Sequence, residues 1–298
     1  MMTATALPDL ESLACVDALA RTLRFHVAAR SRFLSPAAFS KRVQQVEEHV
    51  GEPLFARTTR TVELTDAGTA VLPQIRKILD EARVLSAGSS HAGPTPLELT
   101  LGTRYELGMS WLLPARRALR EEMPHLTMHL RFGNTDELEQ AVLTLRADAI
   151  VTSHPPSTKR LDSLPLHRED YAFVASPRLL RTNPLVHADD AGTHTLIDAH
   201  DDLPLFAYLR ATGLPLRFAH VLVLGTIAAM REAVLDGEGV AVLPRYFVAA
   251  DLERKRLVRV LPSARLGHDF IRLVFRADDA RRPVLERLAR TLRSRPLV

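Results

Sequence analysis

The 298 residues carry 39 Lys and Arg against 35 Asp and Glu, a formal net charge of +4, with 46% hydrophobic and 25% charged residues. That is the composition of globular domains with real cores, and the length suffices for about two or three of them. A single cysteine, Cys15, excludes a disulfide framework and a thiolate metal cluster. No apolar run approaches the roughly 18 residues of a membrane span, and the opening MMTATALPDLES lacks the basic segment and apolar core of a secretory signal, so a cytoplasmic protein is expected.

Asp9 to Ala20 reads as a first helix, with Leu10, Leu13, Ala14, Val16, Ala18 and Leu19 turned toward the next helices and Cys15 as a small helix residue. A second helix covers about Arg24 to Ser31, where Val27, Ala28 and Ala29 are small enough for close helix approach. Ser35 is a good N-cap and Pro36 sits at the first helical position, where its missing N–H costs nothing. Phe39, Val43, Val46 and Val50 then recur every three or four residues and bury one face of a third helix. Its other face offers Ser40, Lys41, Arg42, Gln44 and Gln45 to phosphates or base edges, and Gly51 stops it. This is a helix-turn-helix. In LFARTTRTVELT, Leu54, Phe55, Val62 and Leu64 bracket Arg57, Thr58, Thr59 and Arg60, two short strands with a basic tip that make a wing. Between Arg21 and Arg60 eight basic residues face three acidic ones, a local surplus of five that exceeds the whole chain's +4. The positive charge is focused here, as a nucleic-acid-binding element requires.

Asp66 to Ser86 forms a long helix whose stripe of Ala67, Ala70, Val71, Ile75, Ile78, Leu79, Ala82 and Leu85 is longer than the small preceding domain should cover, which points to pairing with a second subunit. Pro73 should bend it locally, and AGSSHAGPTP (Ala87 to Pro96) is a hinge. Beyond it strands and helices alternate: strands at Leu97–Thr103, Leu126–Phe132 and ADAIVTS, helices at GMSWLLPARRALREEM and DELEQAVLTLR, a largely parallel βαβ series. A second series takes DYAFVASP, THTLIDA, AHVLVLGT and VAVLP as strands and LPLFAYLRATG, IAAMREAVLDG and RYFVAADLERKR as helices, before the run HDFIRLVFRA and the helix PVLERLARTLRS. Strands crossing near Leu164–Tyr171 and Ile271–Phe275 would join two α/β subdomains and leave a cleft between them.

Enzymatic motifs are missing from the sequence: no G-x-S-x-G, H-E-x-x-H, Walker A loop or C-x-x-C. Gly237-Glu238-Gly239 falls at a helix end, and His125 and His129 share a strand face without a third ligand. The cleft is the stronger candidate. Thr103 ends a strand and opens a helix, beside Arg104 and Tyr105; Thr226, after Gly225, does the same across the cleft. Facing helix N-termini suit an anion, and Asn134, Thr152 and Ser153 add polar groups at strand carboxyl ends, where α/β sheets bind ligands. The plainer possibility is that these are caps and that Arg104 pairs with Glu106.

Ala28-Ala29, Leu34-Ser35, Ser40, V-x-x-V-E (Val43 to Glu47), G-x-P-L-F-x-R-T (Gly51 to Thr58) and V-x-L-T-x-A-G (Val62 to Gly68) resemble, in order and spacing, the LysR-type transcriptional regulators. The stretch VLDGEGVAVLPRYFVAADLERKRLVRVLP resembles that family's effector-binding domain, so the likeness runs over nearly the whole chain. The resemblance implies an N-terminal all-α winged helix-turn-helix (1–65), a dimerising linker helix and hinge (66–96), and a two-lobed α/β effector domain like periplasmic binding proteins (97–298), with one subdomain at about 97–166 and 270–298 and the other at about 167–269. Ser35, Pro36, Ala37, Ser40, Lys41, Arg42 and Gln45 would face DNA, with Arg57, Thr58 and Arg60 on its backbone or minor groove. Val71, Ile75, Ile78, Leu79 and Ala82 would pair subunits. Thr103, Arg104, Tyr105, Asn134, Thr152, Ser153 and Thr226 would meet a small, anionic effector. The implied partners are double-stranded DNA, a second or further copies of the chain as homodimer or homotetramer, and RNA polymerase, with no cofactor, metal, catalytic residue or membrane. The rival classes are a two-lobed transport receptor and an enzyme on the same scaffold; the N-terminal domain opposes the first and the missing motifs the second. Two departures stand out: Pro36 and Ala37 where Gln and Pro are usual, and Arg32 where a buried Leu is usual, with Phe33 filling that space.

Overall fold

The computed structural model describes residues 7–57, 61–87 and 97–297. Its first unit is built from capped helices. Asp9 accepts the Ser12 N–H at 2.6 Å and starts Leu10–Thr22, and Leu23 leaves that helix in the left-handed region at φ 51°. After Phe25–Ser31, Ser35 accepts the Ala38 N–H at 3.3 Å and starts Pro36–Val50, which Gly51 ends at φ 85°. Cys15, Val16, Leu19, Ala28, Phe39, Val43, Val46 and Leu54 close around one core. The strands Phe55–Arg57 and Val62–Leu64 pair antiparallel, and Glu47 fixes them to the third helix by accepting from the Leu54 N–H at 3.0 Å and the Phe55 N–H at 3.2 Å. Phe33 departs from expectation: it is 97% exposed at φ 55°, not a core filler, because Arg32 folds onto Glu11 in a bidentate pair at 3.0 Å and needs no apolar substitute.

The linker helix runs Asp66–Ala87 and starts against the wing. A Cβ on Gly68 would stand 2.2 Å from the Leu54 carbonyl oxygen, so this approach requires glycine. The stripe divides. Leu72, Ile75 and Leu79 are buried in the chain's own N-terminal core, which Leu145 of the following α/β domain joins, so the small domain covers more of the helix than its size suggests. Val71 and Ala82 are half-buried, and Ile78 and Leu85 stay exposed.

The remainder forms two lobes on shared strands. Leu97–Thr103 lies parallel to Leu126–Phe132 and to Ala149–Thr152, and His268–Arg276 runs antiparallel to the latter. Leu161–Ala175 pairs with His268–Arg276, then carries Ala241–Pro244 and Val258–Arg259 in the second lobe. These two long strands are the crossing pair, broken by a register shift at Ile271/Arg272. A separate parallel pair, Thr195–Asp198 and His220–Val223, completes the second lobe. One core gathers Leu99, Trp111, Phe275, Leu285 and Leu292, the other Phe173, Met230, Val234, Val242 and Val248. Three local differences stand out. Helicity begins at Tyr105 and passes through a π turn at Gly108–Leu112 into Leu113–Glu122. The helix expected over LPLFAYLRATG shrinks to Phe206–Arg210, because the buried Asp198 accepts from the Ala199, Leu205 and Phe206 N–H groups and holds the chain before it as a loop. Pro177–Thr182 is a short helix the pattern did not signal, started by Ser176 accepting the Leu179 N–H at 3.3 Å.

Candidate functional site

The third helix presents its polar face to solvent. Ser35, Pro36, Ala37, Lys41 and Gln45 are exposed and Ser40 half-exposed. Two members make contacts inside the chain: Arg42 pairs with Asp9 at 3.1 Å, and the Gln45 amide oxygen accepts from Ser12 at 3.4 Å. Arg57 is held by Glu47 at 3.0 Å and lies 4.7 Å over the Phe25 ring, which sets the base of the wing. Thr58 and Arg60, expected at the wing tip, lie outside the described residues. Cys15 is buried, and its thiol is pushed up to about 11 by burial and by Glu11, which keeps it protonated and inert.

The cleft residues separate into two groups. Thr103 is fully buried and its hydroxyl donates to the Val151 carbonyl at 3.1 Å, so it ties two strands together while Arg104 takes the cap position. Asn134 caps its own helix with Glu137, and Tyr105, 57% exposed, leans on Phe132. Thr152 is buried and accepts from the His154 N–H at 3.2 Å; Thr226 caps Ile227–Asp236 by accepting from the Ala229 N–H at 3.1 Å. Arg104 and Ser153 do meet at the cleft floor, at 3.3 Å, and Arg104 reaches Glu169 at 3.5 Å. Glu106 is not its partner: that carboxylate crosses the cleft to accept the Ala228 N–H at 3.2 Å, so the chain's own anion occupies the helix N-terminus expected to receive an effector. Around this floor stand residues that sequence reading passed over. Tyr171 and Tyr208 stack at 4.0 Å, and their hydroxyls meet Glu169 and Asp269. Burial, with Asp269 accepting its proton, pushes Tyr208 up to about 12.

Residues 10–69 match the family described as "Bacterial regulatory helix-turn-helix protein, lysR family", and residues 92–296 match "LysR substrate binding domain". The chain belongs to the LysR family of bacterial transcriptional regulators. Among its relatives are the glycine cleavage system transcriptional activator homolog of Haemophilus influenzae, 28% identical over 86% of this chain and 84% of that one, and the HTH-type transcriptional regulator IlvY of Escherichia coli, 27% identical over 79% and 82%. A full-length OxyR variant from Pseudomonas aeruginosa shares the fold with a TM-score of 0.71 at 21% identity, over 98% of this chain and 97% of that one. LysG of Corynebacterium glutamicum, solved with its effector Arg, superposes with a TM-score of 0.64 at 17% identity, over 96% and 99%. As a LysR-type regulator this chain joins a helix-turn-helix to a two-lobed effector-binding domain. No helix among the described residues is long and apolar enough to cross a membrane, and no group of three His, Cys, Asp or Glu among them could hold a metal.

A buried ionic cluster docks the two parts of this LysR-type chain on each other. Asp17 of the first helix takes Arg21 at 3.0 Å and Arg76 of the linker at 2.7 Å. Asp148, at the foot of the strand Ala149–Thr152, takes Arg21 and Arg76 at 3.5 Å and Arg281 at 2.9 Å, while Arg76 also donates to the Leu145 carbonyl at 2.9 Å. The strand that carries Asp148 at one end carries Thr152 and Ser153, the cleft floor, at the other.

Proposed function

We propose that this regulator works as a homodimer or dimer of dimers in the cytoplasm, binds an interrupted palindrome through two winged domains, and changes its hold on DNA when a small molecule enters the cleft. Three units divide the work: 1–65 reads DNA, 66–96 pairs subunits, and 97–298 senses the effector. Ser40 and Lys41 enter the major groove with Ser35, Pro36 and Ala37 at the helix mouth. Arg42 and Gln45 exchange their contacts with the first helix for DNA, and Arg57, with Thr58 and Arg60 beyond it, meets the backbone. The exposed, basic N-terminal half of the third helix, inside a domain of matched family, is the observation that carries this reading. Ile78 and Leu85 supply the exposed part of the pairing face, with Val71 and Ala82 beside them. The effector's anionic group meets Arg104, which Ser153 helps to hold, since Glu106 fills the opposite helix N-terminus. Contact with RNA polymerase comes once the DNA is bent. An effector acts only by favouring one arrangement of the subunits over the other.

Electrophoretic retardation of the DNA upstream of the chain's own gene, in excess competitor DNA, tests this. A retarded complex carrying two or four chains is expected. Failure to retard any fragment, with retained small-molecule binding, would instead fit a two-lobed receptor.

A further inference from the structure

The polar groups of the cleft do not satisfy one another. Glu169 is fully buried and Asp269 half-buried, yet the described donors beside them are few. Tyr208 gives its hydrogen to Asp269. The Tyr171 hydroxyl stands 3.1 Å from Glu169 and 3.2 Å from both Asp269 and Tyr208, but has a single hydrogen to give. Arg104 reaches Glu169 only at 3.5 Å. Glu169 thus takes Arg104 and the Tyr171 hydroxyl and its strand partner Asp269 takes the Tyr208 hydroxyl, a sparse set of donors for two neighbouring carboxylates. Close by, the mismatch is reversed. Arg104 Nε and the Tyr246 hydroxyl are buried without a hydrogen-bond partner, and Tyr246 is only 7% exposed. Tyr246 lies in the first turn of the helix that follows Pro244, and Pro244 is the strand partner of Tyr171, which brings Tyr246 to the edge of this cluster; burial raises its hydroxyl's pKa, Arg104 lowers it, and Glu169 and Glu106 raise it. A buried donor without an acceptor is costly, and such a group in a native structure calls for a partner.

We propose that the cleft binds a zwitterionic α-amino acid, its ammonium group among Glu169, Asp269 and the Tyr171 and Tyr208 hydroxyls, and its carboxylate on Arg104 Nε and the Tyr246 hydroxyl. This rests on the reading of the cleft as the effector site. An ammonium brings three hydrogens to the two carboxylates, and a carboxylate brings acceptors to the two unpartnered donors. A simple carboxylate would add a negative charge beside Glu169 and Asp269, and a simple amine would leave Arg104 Nε and Tyr246 as they are. The 3.5 Å between Arg104 and Glu169 sets the two subsites side by side, as groups on one carbon require. The other anion-binding end in the cleft, at Ala228, is closed to the ligand by Glu106.

Titration calorimetry of the full chain with each proteinogenic L-amino acid tests the proposal. The tightest binder is then compared with its 2-oxo acid, which lacks the amine, and its decarboxylated amine. At least one amino acid should bind, with both analogues roughly tenfold or more weaker. Tyr246→Phe should weaken the amino acid by a similar factor without lowering the melting temperature of the free protein, because the hydroxyl it removes has no partner there. A merely structural tyrosine would show the opposite pattern. Glu169→Gln should narrow the gap between amino acid and 2-oxo acid. Equal binding of the 2-oxo acid, no binding of any amino acid, or full affinity in Tyr246→Phe overturns the proposal. If a 2-oxo acid binds and alters operator affinity, the effector reading stands and the zwitterion falls. If an amino acid binds with the stated pattern but leaves operator affinity unchanged, the zwitterion site stands and the regulatory reading falls.

Discussion

Replacing Asp148 with asparagine removes a buried carboxylate on which arginines from three parts of the chain converge: Arg21 from the first helix, Arg76 from the linker and Arg281 before the last helix. Asparagine keeps the shape and an oxygen for the Thr100 N–H, which donates at 2.7 Å, and deletes the charge. Burial alone would raise the Asp148 pKa, but Arg281, Arg76 and Arg21 outweigh it and hold the carboxyl below its ordinary value. None of the three guanidinium groups is stripped bare by the change, since Arg21 and Arg76 keep Asp17 and Arg281 keeps Asp279 at 2.9 Å. The cost should therefore fall near the low end for breaking a buried pair, about 3 kcal/mol, equivalent to roughly 6–12 °C in the melting transition of a domain of this size. Circular dichroism melts from pH 7 down to pH 3 provide the assay. A depressed folded pKa contributes stability that is fully present above the unfolded value near pH 4 and is lost as pH falls through the folded value. The gap between wild type and variant should hold from pH 7 to about pH 5 and contract below about pH 4. An unchanged melting temperature at pH 7, or a gap that does not contract in acid, would refute the assignment of this cluster as the clamp between the DNA-binding and effector domains.

Three further sets of substitutions separate the DNA-binding, pairing and capping roles. Arg57→Gln should weaken binding to all DNA sequences nearly equally and lower the salt slope by about one, measured by fluorescence anisotropy; a selective loss on the operator alone would make Arg57 a base reader. Ile78→Asp with Leu85→Asp should reduce the sedimenting mass to one chain while the circular dichroism stays native, whereas Ile75→Asp, at a site only 2% exposed, should unfold the N-terminal domain; an intact dimer in the first pair would remove those residues from the interface. Thr226→Ala should cost about 1 kcal/mol in urea unfolding through the lost helix cap, and no change would mean that the Ala229 N–H finds water equally well.

Local rules made much of the architecture legible. Ser35, Pro36 and Gly51 bound the third helix where capping chemistry puts them, and the crossing strands expected near Leu164–Tyr171 and Ile271–Phe275 fall within Leu161–Ala175 and His268–Arg276. What escaped depends on partners distant in sequence. Thr103 and Thr226 both come after strands, but only a three-dimensional neighbour, Val151, decides that one hydroxyl ties strands while the other caps a helix. Ile75 and Ile78 share one apolar stripe, and nothing in its period says that Leu145 helps close the core over the first and leaves the second bare. The tyrosine–carboxylate cluster joins residues 171, 208 and 269, each unremarkable in its own segment. Phe33 escaped for a related reason: Glu11, 21 positions away, satisfies Arg32.

Hydroxyl-radical footprinting of the upstream DNA, with wild type and a Ser40→Ala, Lys41→Ala variant, tests most directly that the third helix reads DNA. Wild type should protect two half-sites about one helical turn, or a multiple of it, apart. The variant should lose that pattern while still retarding random DNA in a salt-dependent way. Protection unchanged in position and strength would contradict the placement of this helix in the major groove and, with it, the central reading of the chain.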